Sequence, residues 1–303
     1  MPKGGHKMNH HFKTSQRLQK YLIDIIKSAL SSSTTNSVEI NTNLDCNVPE
    51  KDIHKIAGPF IDEWTYEIFN RASSTHTSIK SVTSKESSSL EDIYISLELD
   101  GITYDILIDV KSASLAKGNN AGKGSNLTSF RKIRPFYINN PDAFFFILSI
   151  EHQSIIINNK CYGFHLVDCN IFDLKYVSEN ELKFNTAMGD QFQISNSMKV
   201  TQTERTTDEF VALIDKMFLN KYSQDKLDKL IATEETKRLT TLISEDIISI
   251  LCENEPLTKT NILSYLKALY PDISTSQLDK SIKLLKDSNR IQTINRRDYV
   301  IVK

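Results

Sequence analysis

Residues 92–111 have the sequence DIYISLELDGITYDILIDVK, in which apolar and polar side chains alternate on either side of Asp100 and Gly101. Alternation with a period of two indicates a β-strand with one buried face, and Asp-Gly between two such runs favours a tight hairpin turn. This stretch therefore predicts a β-hairpin with strands at 92–99 and 102–111.

The predicted turn determines which residues face each other across the hairpin. Ile93 lies opposite Ile108, and the face that they share is wholly apolar. We expect that face to pack against the core, because a slip of one residue would turn every apolar side chain to solvent. On the other face, Asp92 lies directly opposite Asp109.

Two carboxylates in directly opposed positions repel each other, since their Cβ atoms are only about 4.5–5.5 Å apart. A divalent cation bound between Asp92 and Asp109 would reverse that repulsion, and Lys111 follows two residues along the same face. Mg²⁺ prefers oxygen ligands and retains waters, one of which it can activate for attack on a phosphodiester. We expect the two acids to bind Mg²⁺ or Mn²⁺, and the lysine to orient the water and stabilise developing charge.

Asp92 followed by Asp109-x-Lys111 resembles the motif of the PD-(D/E)xK nuclease superfamily. The second acid is Asp, an allowed variant, and Glu91 stands where the motif usually has proline. The resemblance covers about residues 55–165. It implies an α/β fold, with a restriction-endonuclease-like core of a mixed sheet flanked by helices, and metal-dependent cleavage of DNA.

Other acidic residues compete for a place in this site. Asp105 lies on the same hairpin face and is an alternative first acid, or a group that supports the acids. The resemblance also implies a glutamate on the preceding helix, which is predicted at 60–72. Glu63 is the favoured candidate there and Glu67 the alternative. All of them could instead be ordinary solvated residues.

A basic segment follows the hairpin. From Lys111 to Arg134 the chain has six basic residues and no acid, with three glycines that let backbone amides approach an anion. Ser125 or Asn126 could cap a helix predicted at 126–138, whose N-terminus would attract phosphate. We expect this segment to follow the DNA backbone, the alternative being a solvated loop. The candidate contacts are Lys117, Lys123, Arg131, Lys132 and Arg134.

The C-terminal segment, residues 243–303, predicts three helices followed by two strands, which resembles a winged helix. In this fold the third helix, here 274–287, usually enters the major groove, where Gln, Lys and Arg can contact base edges. A module for protein contact or dimerisation is the alternative. The candidate DNA contacts are Gln277, Lys280, Ser281 and Lys283 on the helix and Arg290, Arg296 and Arg297 at the wing.

Four segments are expected along the chain. A helical or flexible segment at 1–50 precedes a nuclease core at 51–225, a linker helix at 226–242 and the winged-helix module at 243–303. Near the start, the sequence carries His6, His10 and His11, which we expect to lie in a frayed, solvated N-terminus.

The composition excludes several other classes of protein. The chain of 303 residues has a net charge of -1, so a DNA site must come from local positive charge. Four scattered cysteines without a C-x-x-C pair argue against a zinc site or a disulfide framework and favour a reducing bacterial cytoplasm. No apolar run of about 18 residues is present, so no membrane contact is expected.

These features predict a type II restriction endonuclease that hydrolyses both strands of a specific double-stranded DNA sequence and leaves 5′-phosphates. Two cuts need two active sites, so we expect a homodimer. A cognate DNA methyltransferase would protect the host DNA. Two alternatives remain open: a repair or mobile-element nuclease with the same chemistry, and a winged-helix regulator whose hairpin is not catalytic.

Overall fold

The computed structural model describes residues 5–40, 50–84, 89–115, 124–158, 160–254, 256–294 and 297–302. The chain divides into two compact units, residues 1–221 and residues 222–303. Within the described ranges, no helix has both the length and the apolar character needed to cross a membrane.

The first unit combines helices with two β-sheets. Helices α1 to α4 span Gly5–Ser31, Glu50–Ser73, Phe130–Asn139 and Thr207–Leu219. Strands β1 to β9 span Ser37–Glu39, Ile79–Ser84, Ile93–Leu99, Ile102–Ser114, Ser125–Ser129, Phe144–Ile157, Lys160–Asp173, Leu182–Asn185 and Gln191–Ile194. Short 3₁₀ helices lie at Leu174–Tyr176 and Thr186–Met188.

The main sheet of this unit is mixed, as predicted. Its strand order is β1-β7-β6-β4-β3-β2, with β4 and β6 parallel and the other neighbours antiparallel. Helices α1 and α2 contribute Leu22 and Ile61 to the core on its apolar face. Helix α3 contacts the other face, where the ring of Phe136 lies 5.7 Å from that of Phe145. The core helix α1 therefore belongs to the same unit as the sheet.

The predicted hairpin is present with the predicted register. Strands β3 and β4 pair Ile93 with Ile108 and Leu99 with Ile102. Asp100 and Gly101 have φ values of 55° and 77°, as a two-residue turn of type I′ requires. The apolar face is buried except at its turn end, where Ile102 is exposed. This confirms the hairpin and its core side.

Other elements begin or end at residues different from those predicted from the sequence. A segment rich in Ser and Thr before the hairpin, for which no element is predicted above, contains β2, which pairs with β3 at the sheet edge. The helix expected at 126–138 begins at Phe130, because 125–129 instead pair with β9 as strand β5. Ser125 and Asn126 therefore do not cap it, and Ser129 takes the N-cap position.

The N-terminus is more ordered than predicted. Helix α1 is continuous from Gly5. The Nδ1 atom of His11 lies 2.7 Å from the hydroxyl oxygen of Tyr176, and its ring stacks on Phe144 with 4.5 Å between centroids. The expectation of a frayed, solvated segment is therefore wrong at His11, whereas His10 is exposed.

The second unit has the element order predicted for the C-terminal module, with one more strand. Helix α5 spans Gln224–Asn254, so the expected linker helix and the first module helix are continuous. A three-stranded sheet in the order β10-β12-β11 completes the unit. The other elements are β10 at Leu257–Thr258, α6 at Lys259–Leu269, α7 at Thr275–Asp287, β11 at Ile291–Ile294 and β12 at Asp298–Ile301.

The second unit has a core of its own. Side chains of α5, α6 and α7 meet in one buried cluster that includes Ile247, Leu266 and Leu278. Leu285 and Ile291 extend this cluster from α7 to β11. Because each helix has one apolar stripe, its other faces are left for solvent or a partner.

Candidate active site

The hairpin fixes the position of Asp92, which lies one residue before β3. Its backbone N–H donates to the carbonyl oxygen of Ile108 over 2.9 Å, and its Oδ2 accepts a hydrogen bond from the N–H of Val110 over 2.8 Å. These bonds extend the β3–β4 pairing by one residue and hold the carboxylate opposite Asp109. The predicted juxtaposition of the two acids is therefore present.

Asp109 and Lys111 occupy the middle of β4. The Nζ of Lys111 donates to Oδ1 of Asp109 over 2.5 Å, and Asp109 is buried with 5% of its surface exposed. Burial raises the pKa of Asp109 to about 7, because a charged carboxylate loses solvation there. The charge and hydrogen bond of Lys111 oppose this rise, and Asp92, which hydrogen-bonds to the Asp109 side chain, adds to it.

A third carboxylate reaches this group from helix α2. Burial raises the pKa of Asp62 to about 7, and the charges of Asp92 and Asp109 contribute further to the rise. The charge of Lys111 acts in the opposite direction. The Asp62 carboxyl of α2 is thus near enough to the two hairpin carboxylates and the Lys111 ammonium group for their charges to act on it.

Glu63, the predicted helix acid, does not join this group. It is exposed and lines a separate groove together with Thr34 and Trp64. Glu67, the alternative, forms an ion pair with Arg71 one turn further along α2. The structure favours Asp62 as the α2 residue next to the hairpin acids, because α2 buries the face beside that residue and turns both glutamates outward. The catalytic role of a helix acid stays a prediction.

A signal for Asp62 existed in the helical pattern of α2. The buried side chains Ile61, Thr65 and Ile68 form one stripe, and Asp62 lies directly beside it. Residues on the flank of a buried stripe point along the protein surface rather than into open solvent. The nuclease motif implies a glutamate on this helix, so the resemblance by itself favours Glu63 over the neighbouring aspartate.

Asp105, the alternative first acid, has a different partner. Its Oδ1 accepts a hydrogen bond from the hydroxyl of Tyr94 over 2.5 Å, and the residue is exposed. The charges that shift the pKa of Asp109 and Asp62 are those of Asp92 and Lys111, not that of Asp105. Asp92 is therefore the acid that the geometry favours.

The donor chemistry of this group fits a divalent cation. Its three carboxylates offer hard oxygen atoms, and two of them carry raised pKa values because they are buried near like charges. Among the described residues, however, no group of three or more His, Cys, Asp or Glu side chains has an arrangement ready to hold a metal ion. The Asp92 and Asp109 carboxyls contact each other instead.

The basic segment after the hairpin contains one clear correction. Arg134 is buried and makes two hydrogen bonds to the carboxylate of Asp215, over 2.8 and 3.3 Å. It joins α3 to α4 and is therefore a structural residue rather than a DNA contact. Arg131 and Lys132 are exposed on α3, while Lys117 and Lys123 lie outside the described residues.

The second unit also uses some candidate DNA contacts for its own structure. The Oε1 of Gln277 accepts hydrogen bonds from the N–H and hydroxyl of Ser274, which caps α7. Ser281 is fully buried and donates to the carbonyl oxygen of Thr240. Arg290 pairs with both carboxylate oxygens of Glu245, over 2.6 and 2.9 Å.

Burial makes the Ser281 side chain inaccessible to DNA. Gln277 and Arg290 have partners within the unit but are not buried, so their contact with DNA stays a prediction. Lys280 and Lys283 are exposed on α7, and Arg297 is exposed beside β12. These three residues stay candidates for contact with DNA. Arg296 lies outside the described residues.

Comparison with known proteins identifies the class of this protein. The family model described as Type II restriction endonuclease HpaI matches residues 6–238. Type II restriction enzyme HpaI from Haemophilus parainfluenzae is 33% identical over 177 residues, which cover 55% of this chain and 69% of the relative. The chain is thus a restriction endonuclease, a site-specific deoxyribonuclease whose partner is DNA.

More specifically, the chain belongs to the family of type II restriction endonuclease HpaI. This confirms the predicted enzyme class and sets aside the non-catalytic regulator. The matched range contains Asp62 and the whole hairpin with its acids and lysine. It ends within α5, so α6 and α7 lie beyond it.

Substitution of Arg134 tests whether this residue stabilises the fold through Asp215 or contacts DNA. Arg134→Ala should lower the free energy of unfolding by about 3–5 kcal/mol, since it leaves the Asp215 carboxylate without its partner. Urea unfolding followed by circular dichroism measures the change. The exposed neighbour Lys132→Ala is the control and should change the value by about 0.5 kcal/mol or less. Equal effects of the two substitutions would contradict the structural role.

Proposed function

We propose that Asp92, Asp109 and Lys111 form a PD-(D/E)xK-type catalytic centre that cleaves DNA with Mg²⁺ or Mn²⁺, leaving 5′-phosphates. Asp62 supplies a further acid from α2. The observation that carries this proposal is the convergence of three carboxylates and one ammonium group at the hairpin. Like charges at such close range are costly, and a bound cation is the simplest compensation.

Asp92 and Asp109 would be the residues that bind the metal ion. The Val110 N–H holds one oxygen of Asp92, which leaves the other oxygen for a metal ion. Asp109 would provide the second ligand, and the raised pKa of its carboxyl reflects a buried site where a cation is strongly attracted. When bound, Mg²⁺ would lower the pKa of a coordinated water and offset charge on the phosphate.

Lys111 and Asp62 would act on either side of the acid pair. The Lys111 ammonium is held by Asp109 and partly exposed, so it can donate to an attacking water or to a phosphate oxygen. Asp62 would act through the metal's water shell, as carboxylates behind a metal site commonly do. Its half-buried position on α2 makes it a partner of the site from the helix side.

We further propose that the second unit is a winged-helix module that contacts DNA. The order α5, β10, α6, α7, β11, β12 is the order of elements in that fold, and it supports the assignment. Helix α7 exposes Lys280, Lys283 and Leu284 on the side away from its buried stripe. Those lysines can contact phosphates or base edges when α7 enters the major groove.

We also propose that two copies act together and that a cognate methyltransferase protects host DNA. One hairpin site per chain supports the joint action of two copies, because double-strand cleavage needs one site for each strand.

Light scattering on the full chain with duplex DNA containing the target sequence and Ca²⁺ should give a mass of two chains per duplex. A mass of one chain, with both strands cut in one encounter, would contradict it.

Asp109→Asn and Lys111→Ala should each lower the rate of cleavage at least about 100-fold, because each removes a group that acts at the reacting phosphate. The measurement is plasmid cleavage with Mg²⁺, with DNA binding followed in parallel by fluorescence anisotropy. Asp105→Asn is the matched control on the same hairpin face and should retain cleavage. Loss of binding together with cleavage would point to misfolding or a binding role instead.

Asp62→Asn and Glu63→Gln test which acid of α2 serves the site. The first should reduce cleavage about 10–100-fold and raise the Mg²⁺ concentration needed for half-maximal rate, because a carboxylate beside the metal waters is lost. The second substitution should leave both quantities unchanged. The reverse ranking would restore Glu63 as the helix acid and remove Asp62 from the proposal.

Lys280→Ala combined with Lys283→Ala should weaken DNA binding and reduce the slope of log affinity against log salt concentration by about 2, one for each lost phosphate contact. Lys267→Ala, an exposed lysine of α6, serves as the matched control. Anisotropy titrations at several salt concentrations give the slope. An unchanged slope in the double variant would favour a protein-contact role for this unit.

A further inference from the structure

A cavity of about 520 Å³ lies in the first unit at the start of β6, and none of the hairpin acids lines it. Its walls come from α1, β4, β6, the 3₁₀ helix at Leu174–Tyr176 and the start of α4. Its volume falls in the range of small-molecule sites, which is roughly 300–1,000 Å³.

Two buried cationic side chains, Lys175 and Arg205, line this cavity. They are 2% and 9% exposed, and neither forms an ion pair within the described part of the chain. The Nζ of Lys175 has two long polar contacts, to the Pro141 carbonyl oxygen at 3.4 Å and the Thr207 hydroxyl at 3.3 Å. It also lies 5.6 and 5.5 Å from the ring centroids of Tyr137 and Tyr176, but it meets no carboxylate of the described residues. Arg205 makes no hydrogen bond there, and its buried Nη1 has no partner.

Unpaired buried cations are unusual, because charge is costly to remove from water without a partner. The acidic groups that act on these cations lie beyond ion-pair distance: Asp173 and Asp142 act on Lys175, and Glu179 and Glu209 act on Arg205. Asp173 is already occupied by the Ser15 hydroxyl at 2.7 Å. The cavity therefore presents positive charge that the described residues do not neutralise at contact distance.

Electrostatics at His11 agree with this description. Burial lowers the pKa of His11, and the positive charge of Lys175 lowers it further. Burial also lowers the pKa of Lys175 itself. Asp142 is the one acid among the cavity-lining residues described, and it is exposed.

Aromatic rings form another part of the wall. The His11 ring stacks on Phe144, the Tyr104 ring meets Phe144 edge-on at 5.7 Å, and Tyr176 lies beside His11. Flat rings of this kind accept another flat ring by stacking. Two cationic groups beside these rings suit a phosphate group, which accepts several charge-assisted hydrogen bonds at once.

We propose that this cavity binds a small aromatic phosphate of the nucleoside 5′-monophosphate class, with the phosphate at Arg205 and Lys175 and the base against the aromatic wall. It is a second ligand site, separate from the hairpin centre. Because Asp62, Asp92, Asp109 and Lys111 do not line it, the absence of nucleotide binding would leave the catalytic proposal unaffected.

The test is calorimetric titration of the full chain with adenosine 5′-monophosphate in EDTA, so that no metal recruits the nucleotide to the hairpin. Binding in about the millimolar range or tighter is expected. Adenosine and inorganic phosphate should each bind about tenfold more weakly, since adenosine lacks the phosphate and inorganic phosphate lacks the aromatic base. Equal binding of inorganic phosphate, or no binding of the nucleotide up to about 10 mM, would overturn the proposal.

Substitutions then locate the bound nucleotide. Arg205→Gln and Lys175→Met should each weaken it about tenfold, whereas Lys111→Ala in the hairpin should not affect it. Asp142→Asn should tighten binding, and it removes an exposed group, so folding is not at issue. Unchanged affinity in Arg205→Gln, or loss of affinity in Lys111→Ala, would place the nucleotide elsewhere.

Two further measurements distinguish a small-ligand site from a DNA-contact surface and from an effect of misfolding. Without ligand, Arg205→Gln should melt no lower than the parent, because an unpaired buried charge has been removed. Short duplex DNA should not displace the nucleotide. Displacement by DNA would overturn the small-ligand assignment and make the cavity part of the DNA surface.

Discussion

The hydrogen bond from the Val110 N–H to the Asp92 carboxylate is the contact on which the proposed centre depends. The Asp92 backbone N–H extends the pairing of β3 and β4 by one residue, because it donates to the Ile108 carbonyl oxygen, and the Val110 N–H then holds the Asp92 side chain opposite Asp109. Without these two bonds, Asp92 would belong to the preceding loop. With them, two carboxylates face each other across the hairpin, Lys111 donates to one of them, and their charges raise the pKa of the Asp62 carboxyl.

The hairpin could be predicted because its determinants are local. Asp100-Gly101 sets the turn, the alternation of residues sets the buried face, and together they fix the pairs across the strands. The acid pair and the lysine follow from that register alone. Family membership then agrees with the class of enzyme that this pattern implied.

The sequence was less informative where distant residues decide the outcome. Periodicity marks Asp62 as a residue on the flank of the buried stripe of α2, but which flank meets the hairpin depends on tertiary packing, so periodicity alone could not rank Asp62 against Glu63. Arg134 is neutralised by Asp215, which is 81 residues away, and a count of basic residues along the chain cannot show such a partner. Strand β5 exists because β9 is available to pair with it, and the same pairing moved the start of α3.

Crystals of the full chain grown with Mn²⁺ and examined by anomalous diffraction would test the catalytic centre most directly. We expect a peak between Asp92 and Asp109, about 2.1 Å from an oxygen of each, with Asp62 facing the same ion directly or through a water. A manganese ion bound elsewhere, or the two hairpin carboxylates still in contact with each other at saturating metal, would contradict a metal site between these two acids.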